Sequence, residues 1–314
     1  MTNFWQELPK PFTILAPMDD VTDNVFRQVV LEAGRPDVFF TEFTNADGLV
    51  YVKRGGPHKK LEFTSNQHPI VAQIWGTNVK NMEKAAKLIA KLGFDGIDIN
   101  MGCPVREVIK KGAGAGMIGN FELTHKIIEV VKSGAGKVPL SVKTRLGINE
   151  NVAESWTTFL LNEGISALTI HARTAKQMST GDADWEEIKK IVRLRDNIAP
   201  KTLIIGNGDV KSYSEIVEKE RIYGVDGAMV GRGIFSDPWI FNPKKKEHSR
   251  KDYINLLKTH IKLFEKEWGE TKHFAVIKKF FKIYIKGWSG ANSLRIKLME
   301  AGSLGEIKAT IAQL

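Results

Sequence analysis

The chain has 314 residues, with 46 Lys plus Arg against 36 Asp plus Glu and a single cysteine. Its 42% apolar and 26% charged content is that of one large globular domain or two, not of a disordered chain. One cysteine excludes an intramolecular disulfide framework and a cysteine-rich metal site. No run approaches the ~18 apolar residues of a membrane span. The start, MTNFWQELPKPF, lacks the basic patch and apolar core of a secretory signal, so a reducing cytoplasm is the expected compartment.

Short apolar runs recur along the chain at residues 13–18, 38–44, 69–76, 96–102, 140–147, 167–174, 202–208 and 227–233. Continuous runs of this length read as strands buried on both faces of a parallel sheet. Amphipathic segments lie between them. Met82, Ala85, Ala86, Ile89 and Leu92 share one helical face, and Trp156 with Leu160 and Trp185 with Ile188, Ile191 and Val192 repeat the spacing. Eight strands alternating with helices over residues 1–241 predict a (β/α)8 TIM barrel, an α/β fold. A doubly wound open sheet would give a similar string. Met18 and the polar residues Gln73, Asn100, Lys143, His171, Asn207 and Arg232 fall at the C-terminal strand ends, where barrel active sites are built.

Pro243 and the lysines 244–246 mark a linker over residues 242–248. Beyond it, Ser249 is placed to cap a helix running to about Trp268, and further helices are expected at 272–287, 291–300 and 303–313. Residues 244–314 hold 16 basic and 7 acidic side chains, net +9, against 30 and 29, net +1, over residues 1–243. A small basic helical bundle over 249–314, suited to a phosphate backbone, is the expectation.

Cys103 sits in a tight turn, Asn100-Met101-Gly102-Cys103-Pro104, at a strand end. A neutral thiol there can act as a general acid, and no neighbouring His supports a Cys-His protease. Gly114-x-Gly116-x-x-Gly119 matches GxGxxG formally, but Lys110 and Lys111 precede it where a strand is required, so a mobile glycine loop is expected instead. Lys143, Arg145, His171, Arg173 and Arg232, with the glycines at 208, 231 and 233, describe an anion pocket. Gln73 and Asn100 are amides suited to a flat heterocycle. No metal-binding motif is present.

The stretches APMDDVTD (16–23), HPIVAQIWG (68–76), GIDINMGCPV (96–105), GAGAG (112–116), VKTRLG (142–147), HART (171–174), NGDV (207–210) and GRGIFSDPWIF (231–241) resemble the tRNA-dihydrouridine synthases, in family order. The resemblance implies an FMN-dependent barrel that reduces the C5–C6 bond of uridine in tRNA with NADPH as electron donor. It implies that Ala16, Pro17, Met18, Gln73, Lys143 and His171 contact the flavin. Asn207, Gly208, Asp209, Gly231 and Arg232 would serve its ribityl phosphate. Cys103 would give the proton to C5 while hydride reaches C6 from flavin N5, with Asn100 and Arg173 as substrate contacts. The partner is tRNA, the protein is expected to be monomeric, and a metal is not expected. A small-molecule pyrimidine oxidoreductase on the same barrel would leave the basic tail without a use.

Overall fold

In the computed structural model, which describes residues 3–52, 55–244, 247–269 and 271–314, the apolar runs form strands. These are β1 (Phe12–Leu15), β2 (Val38–Phe40), β3 (Thr44–Asn45), β4 (Ile70–Trp75) and β5 (Gly96–Met101). They continue as β6 (Leu140–Arg145), β7 (Ala167–His171), β8 (Leu203–Asn207) and β9 (Gly227–Val230). The run expected at 38–44 breaks after Phe40, where the Thr41 hydroxyl donates to the Glu42 carbonyl at 2.9 Å and turns the backbone. The two-residue β3 beyond that turn pairs only with β4.

All pairings are parallel, β1 lies between β2 and β9, and β2 also pairs with β4, which closes eight strands into a (β/α)8 barrel. Trp5, Phe12, Ile14, Phe40, Val71, Leu203 and Met229 pack into one buried cluster. Trp5 comes from a short 3-10 turn, Phe4–Glu7, capped by the Asn3 side chain. Register then aligns the polar strand ends. Gln73 pairs with Asp98, Asn100 with Lys143, Arg145 with His171, and His171 with Asn207. Neighbouring strands thus deliver these side chains to the same end of the barrel.

The chain divides into two compact units. The first comprises residues 1–24, 36–210 and 214–231, and the second 25–35, 211–213 and 232–314. The second unit is therefore larger than the tail expected from sequence, because it takes in most of the helix Asn24–Ala33, whose Phe26 stacks on Phe280 at 5.2 Å. Within it, Ser249 and Asp252 form a capping box for the helix Arg250–Trp268. His248, expected in a linker, stacks on Trp239 at 3.8 Å. Lys245 and Lys246 lie outside the described residues.

Helices Ala291–Glu300 and Leu304–Ala312 match the expected segments. The expected helix at 272–287 is instead a 3-10 turn, Phe274–Phe280, followed by the short helix Phe281–Tyr284. Ile277, Phe280, Phe281, Ile283, Tyr284 and Ile285 are buried there, while Ala275, Lys279 and Lys282 are exposed. Lys278 donates to the carbonyls of Met299 and Ala301 at 2.6 and 2.7 Å, satisfying the end of the neighbouring helix. No described helix is long and apolar enough to cross a membrane.

Candidate active site

Gln73, Asp98, Asn100 and Ser141 form a buried ladder of side chains. Ser141 Oγ donates to Asp98 Oδ1 at 2.6 Å, and Gln73 Nε2 donates to Asp98 Oδ2 at 2.7 Å. Asn100 Nδ2 donates to Gln73 Oε1 at 2.8 Å, while Asn100 Oδ1 accepts the N–H groups of Gly102 at 3.0 Å and Cys103 at 2.9 Å. Burial pushes the Asp98 carboxyl up to about 6, opposed by the Ser141 and Gln73 hydrogen bonds and by Lys143.

Cys103 is 7% exposed, in a cluster with Val108 and Ala113 against which Phe43 and Trp75 pack. Burial pushes its thiol up, outweighing the Val105 N–H and the Arg145 and Lys143 charges. The thiol is therefore protonated at neutral pH. The glycine segment expected as a mobile loop is instead a buried 3-10 turn, Gly114–Met117, packed under this cysteine. Ala115 N donates to the Cys103 carbonyl at 3.0 Å. A Cβ at Gly114 would lie 2.9 Å from that same oxygen, and the residue has φ +57°, so glycine is needed for both space and conformation.

Lys143 Nζ donates to Asn207 Oδ1 at 3.1 Å, and Asn207 Nδ2 donates to the Met229 carbonyl at 2.7 Å. Burial, then the Arg145 charge, pushes the Lys143 ammonium down to about 7, against the pull of Asp98 and Cys103. Arg145 spans two loops: its Nε donates to the Gly102 carbonyl at 2.7 Å, and its Nη1 donates to those of Thr174 at 3.0 Å and Met178 at 2.9 Å.

Arg173 is 2% exposed rather than displayed at the surface. Its Nη2 binds the Gly181 carbonyl and Asp209 Oδ2, each at 2.5 Å, while Nη1 is buried without a hydrogen-bond partner. That orphaned donor would lie 3.6 Å from a Cβ placed on Gly208, and His171 Cδ2 would lie 3.5 Å from it. Gly208 has φ +133° and no room for a side chain, since its Cβ would approach Ala183 Cβ to 2.7 Å. Gly231 adjoins Ala16 and Met18, and Met18 is held by a hydrogen bond from its N–H to Thr22 Oγ1 at 2.9 Å. Pro17 lies between Ala16 and Met18 in the chain. A buried unpaired guanidinium N–H beside bare glycine backbone fits a phosphate group, and the lysine–amide pair fits a polar ring edge. Arg232 is the first residue of the second unit's C-terminal stretch.

Glu42, 4% exposed, is a buried carboxyl that sequence reasoning does not single out. Its Oε1 accepts the Asp20 N–H at 2.7 Å and lies 3.8 Å from Lys60 Nζ, which also pairs with Asp19. Burial pushes its carboxyl from 4.5 up to about 7, against the pull of Lys60. The folded state therefore holds a proton that the unfolded chain releases, and stability falls as pH rises from 4.5 to about 7. The full effect is on the order of 3 kcal/mol at ~1.4 kcal/mol per pK unit. Glu42→Gln is expected to flatten this pH dependence. Urea unfolding at pH 5 and pH 8 tests it, and an unchanged difference between the two would refute the assignment.

The family model described as dihydrouridine synthase matches residues 14–313. A protein of Staphylococcus aureus strain Mu50, described as a probable tRNA-dihydrouridine synthase, is 47% identical over 98% of this chain and 94% of its own length. A Bacillus subtilis protein, probable tRNA-dihydrouridine synthase 2, is 46% identical over 98% of this chain and 95% of its own. Among solved structures, morphinone reductase superposes with a TM-score of 0.52 at 12% identity, covering 75% of this chain and 86% of that one, a likeness of fold. The match across nearly the whole chain, joined to the INMGCP turn and the barrel beneath it, makes this protein a member of the dihydrouridine synthase family.

Proposed function

We propose that this chain reduces uridine in tRNA to 5,6-dihydrouridine, with FMN as its bound cofactor and NADPH as the electron donor. The observation that carries the reading is Cys103: a buried thiol kept protonated, on a turn pinned from both sides, at the end of the barrel where Lys143 and Asn207 meet. Ala16, Pro17, Met18, Gln73, Lys143 and His171 would hold the flavin ring, and Asn207, Gly208, Asp209 and Gly231 its ribityl phosphate. Bound FMN supplies hydride chemistry that no side chain of the protein possesses. Lys143, when protonated, places positive charge beside the ring, and Asn207 fixes where that charge sits. Asn100 and Cys103 face the base together, the first as a donor and the second as the proton source for C5.

A stacked uridine must leave its helix to reach such a turn, at a cost of a few kcal/mol that phosphate binding by the basic helical unit can offset. Arg173 is better suited to the cofactor phosphate than to the tRNA contact expected from sequence, since its unpaired Nη1 lies beside Gly208. The deciding experiment offers the purified flavoprotein and NADPH either unmodified tRNA or free uridine. Dihydrouridine mapped by mass spectrometry in the tRNA, and none from free uridine, is the expected result. Reduction of the free pyrimidine with the tRNA untouched would overturn the reading in favour of a small-molecule oxidoreductase.

A further inference from the structure

The chemistry of its two ends dictates the direction of the hydrogen-bond ladder below Cys103. At the upper end stand the backbone N–H groups of Gly102 and Cys103, which can only donate. At the lower end stands the Asp98 carboxylate, which accepts from Gln73 on one oxygen and from Ser141 on the other. Two side-chain amides lie between, each with one accepting and one donating end. Only one orientation of each satisfies every bond. Turning Asn100 over would set its oxygen against Gln73 Oε1 and its NH2 against two N–H donors. Asp98 and Gln73 are fully buried and Asn100 is 6% exposed, so water cannot repair a mismatch.

We infer that Asp98 is a positioning residue of the reduction: by accepting from Gln73 it fixes Asn100 as a donor-only group toward the base and holds the Cys103 turn in place. The inference rests on the reading of Cys103 as proton donor. Asp98 itself lies two residues before Asn100 on β5, and its hydrogen-bonding partners are Gln73 on β4 and Ser141 on β6. It acts through Gln73 and Asn100. The ladder also gives both amides a part: the turn's N–H groups orient Asn100, Gln73 links its NH2 to Asp98, and an apolar residue at either position would break the order.

The test compares variants in the full-length flavoprotein. Asp98→Asn keeps an acceptor toward Gln73 and turns its NH2 to Ser141, whose hydroxyl can accept. It is expected to keep the parental labelling rate of Cys103 and more of the kcat than Asp98→Ala, losing only the pull of the carboxylate on Lys143. Asp98→Ala removes the acceptor, and its kcat for tRNA is expected to fall about 10- to 100-fold, as misplaced reacting groups do, with KM for tRNA unchanged. Because Cys103 is the only cysteine in the chain, iodoacetamide labelling reads this one thiol, and its rate is expected to rise in Asp98→Ala and not in Asp98→Asn. If Asp98→Ala does not accumulate folded, Asp98→Thr supplies a β-branched, strand-favouring residue whose hydroxyl is too short to reach Gln73, and the same losses are expected.

Parental kcat and labelling in Asp98→Ala or Asp98→Thr would overturn the inference. So would an Asp98→Asn protein as impaired as Asp98→Ala, since charge and not direction would then matter. A Cys103→Ala protein that reduced tRNA normally would instead remove the underlying reading. An inactive Cys103→Ala beside a fully active Asp98→Ala would remove only the ladder's role.

Discussion

Replacing Cys103 with alanine is expected to leave flavin content and flavin reduction by NADPH intact while tRNA reduction falls ~10²–10⁴-fold, the usual cost of losing a general acid. The thiol is suited to this because burial holds it in the protonated form and because Asn100, Gly102 and Ala115 fix its backbone. The phosphate-binding candidates Gly208 and Gly231 stand on β8 and β9 loops, apart in sequence from the cysteine turn, so the two half-reactions separate. Stopped-flow reduction of the flavin, followed by reoxidation with tRNA, measures each in turn. As the chain has no other cysteine, a covalent adduct with 5-halogenated uridine in tRNA should vanish in the variant. A variant that loses flavin, or that reoxidises with tRNA at the parental rate, would show that Cys103 is not the proton source.

The second large effect concerns the basic unit. Lys258, Lys262 and Lys266 lie on the helix Arg250–Trp268, spaced by four so that they share a face. Converting all three to Gln is expected to weaken tRNA binding and flatten its salt dependence, by ~0.7–0.9 log units per decade of salt for each phosphate no longer neutralised. Flavin binding should be untouched. Lys278 should behave differently from the role its charge suggests in sequence. It caps the carbonyls of Met299 and Ala301, so Lys278→Gln should lower thermal stability without changing the salt slope. Lys244, Lys279 and Lys282 are exposed and are further positions at which neutralisation should act in the same direction. Filter binding across a salt series decides. A triple variant with parental affinity and slope would leave the excess charge without a phosphate partner.

The strand ends are legible because a parallel barrel needs unbroken apolar runs, and a polar residue closing each run stands out. The family motifs point to Cys103, Gln73, Lys143 and the glycines of the phosphate loops. What escapes is cross-strand. Asp98 reads in sequence as an acid interrupting GIDIN, and nothing local says that its partner is Gln73, which only strand register brings opposite it. Arg173 reads as a charge at a strand end, and sequence does not reveal that the 180–181 segment folds back to bury it. The GAGAG stretch suggests mobility because glycine is usually a licence for motion. Here it is a requirement of close packing. Residues 274–284 suggest one helix because their apolar content is high, but the segment divides into a 3-10 turn and one short helix.

Arg145 grips its neighbours entirely through main-chain oxygens: Gly102 on one side, Thr174 and Met178 on the other. The guanidinium therefore recognises the path of the β7 loop and is blind to which side chains that loop carries. Met178 itself points its side chain to solvent, 54% exposed. Such a joint holds the loop's course without reading the side chain at Met178. Its outward residue Met178 can change while the span that steadies the cysteine turn is inherited unchanged.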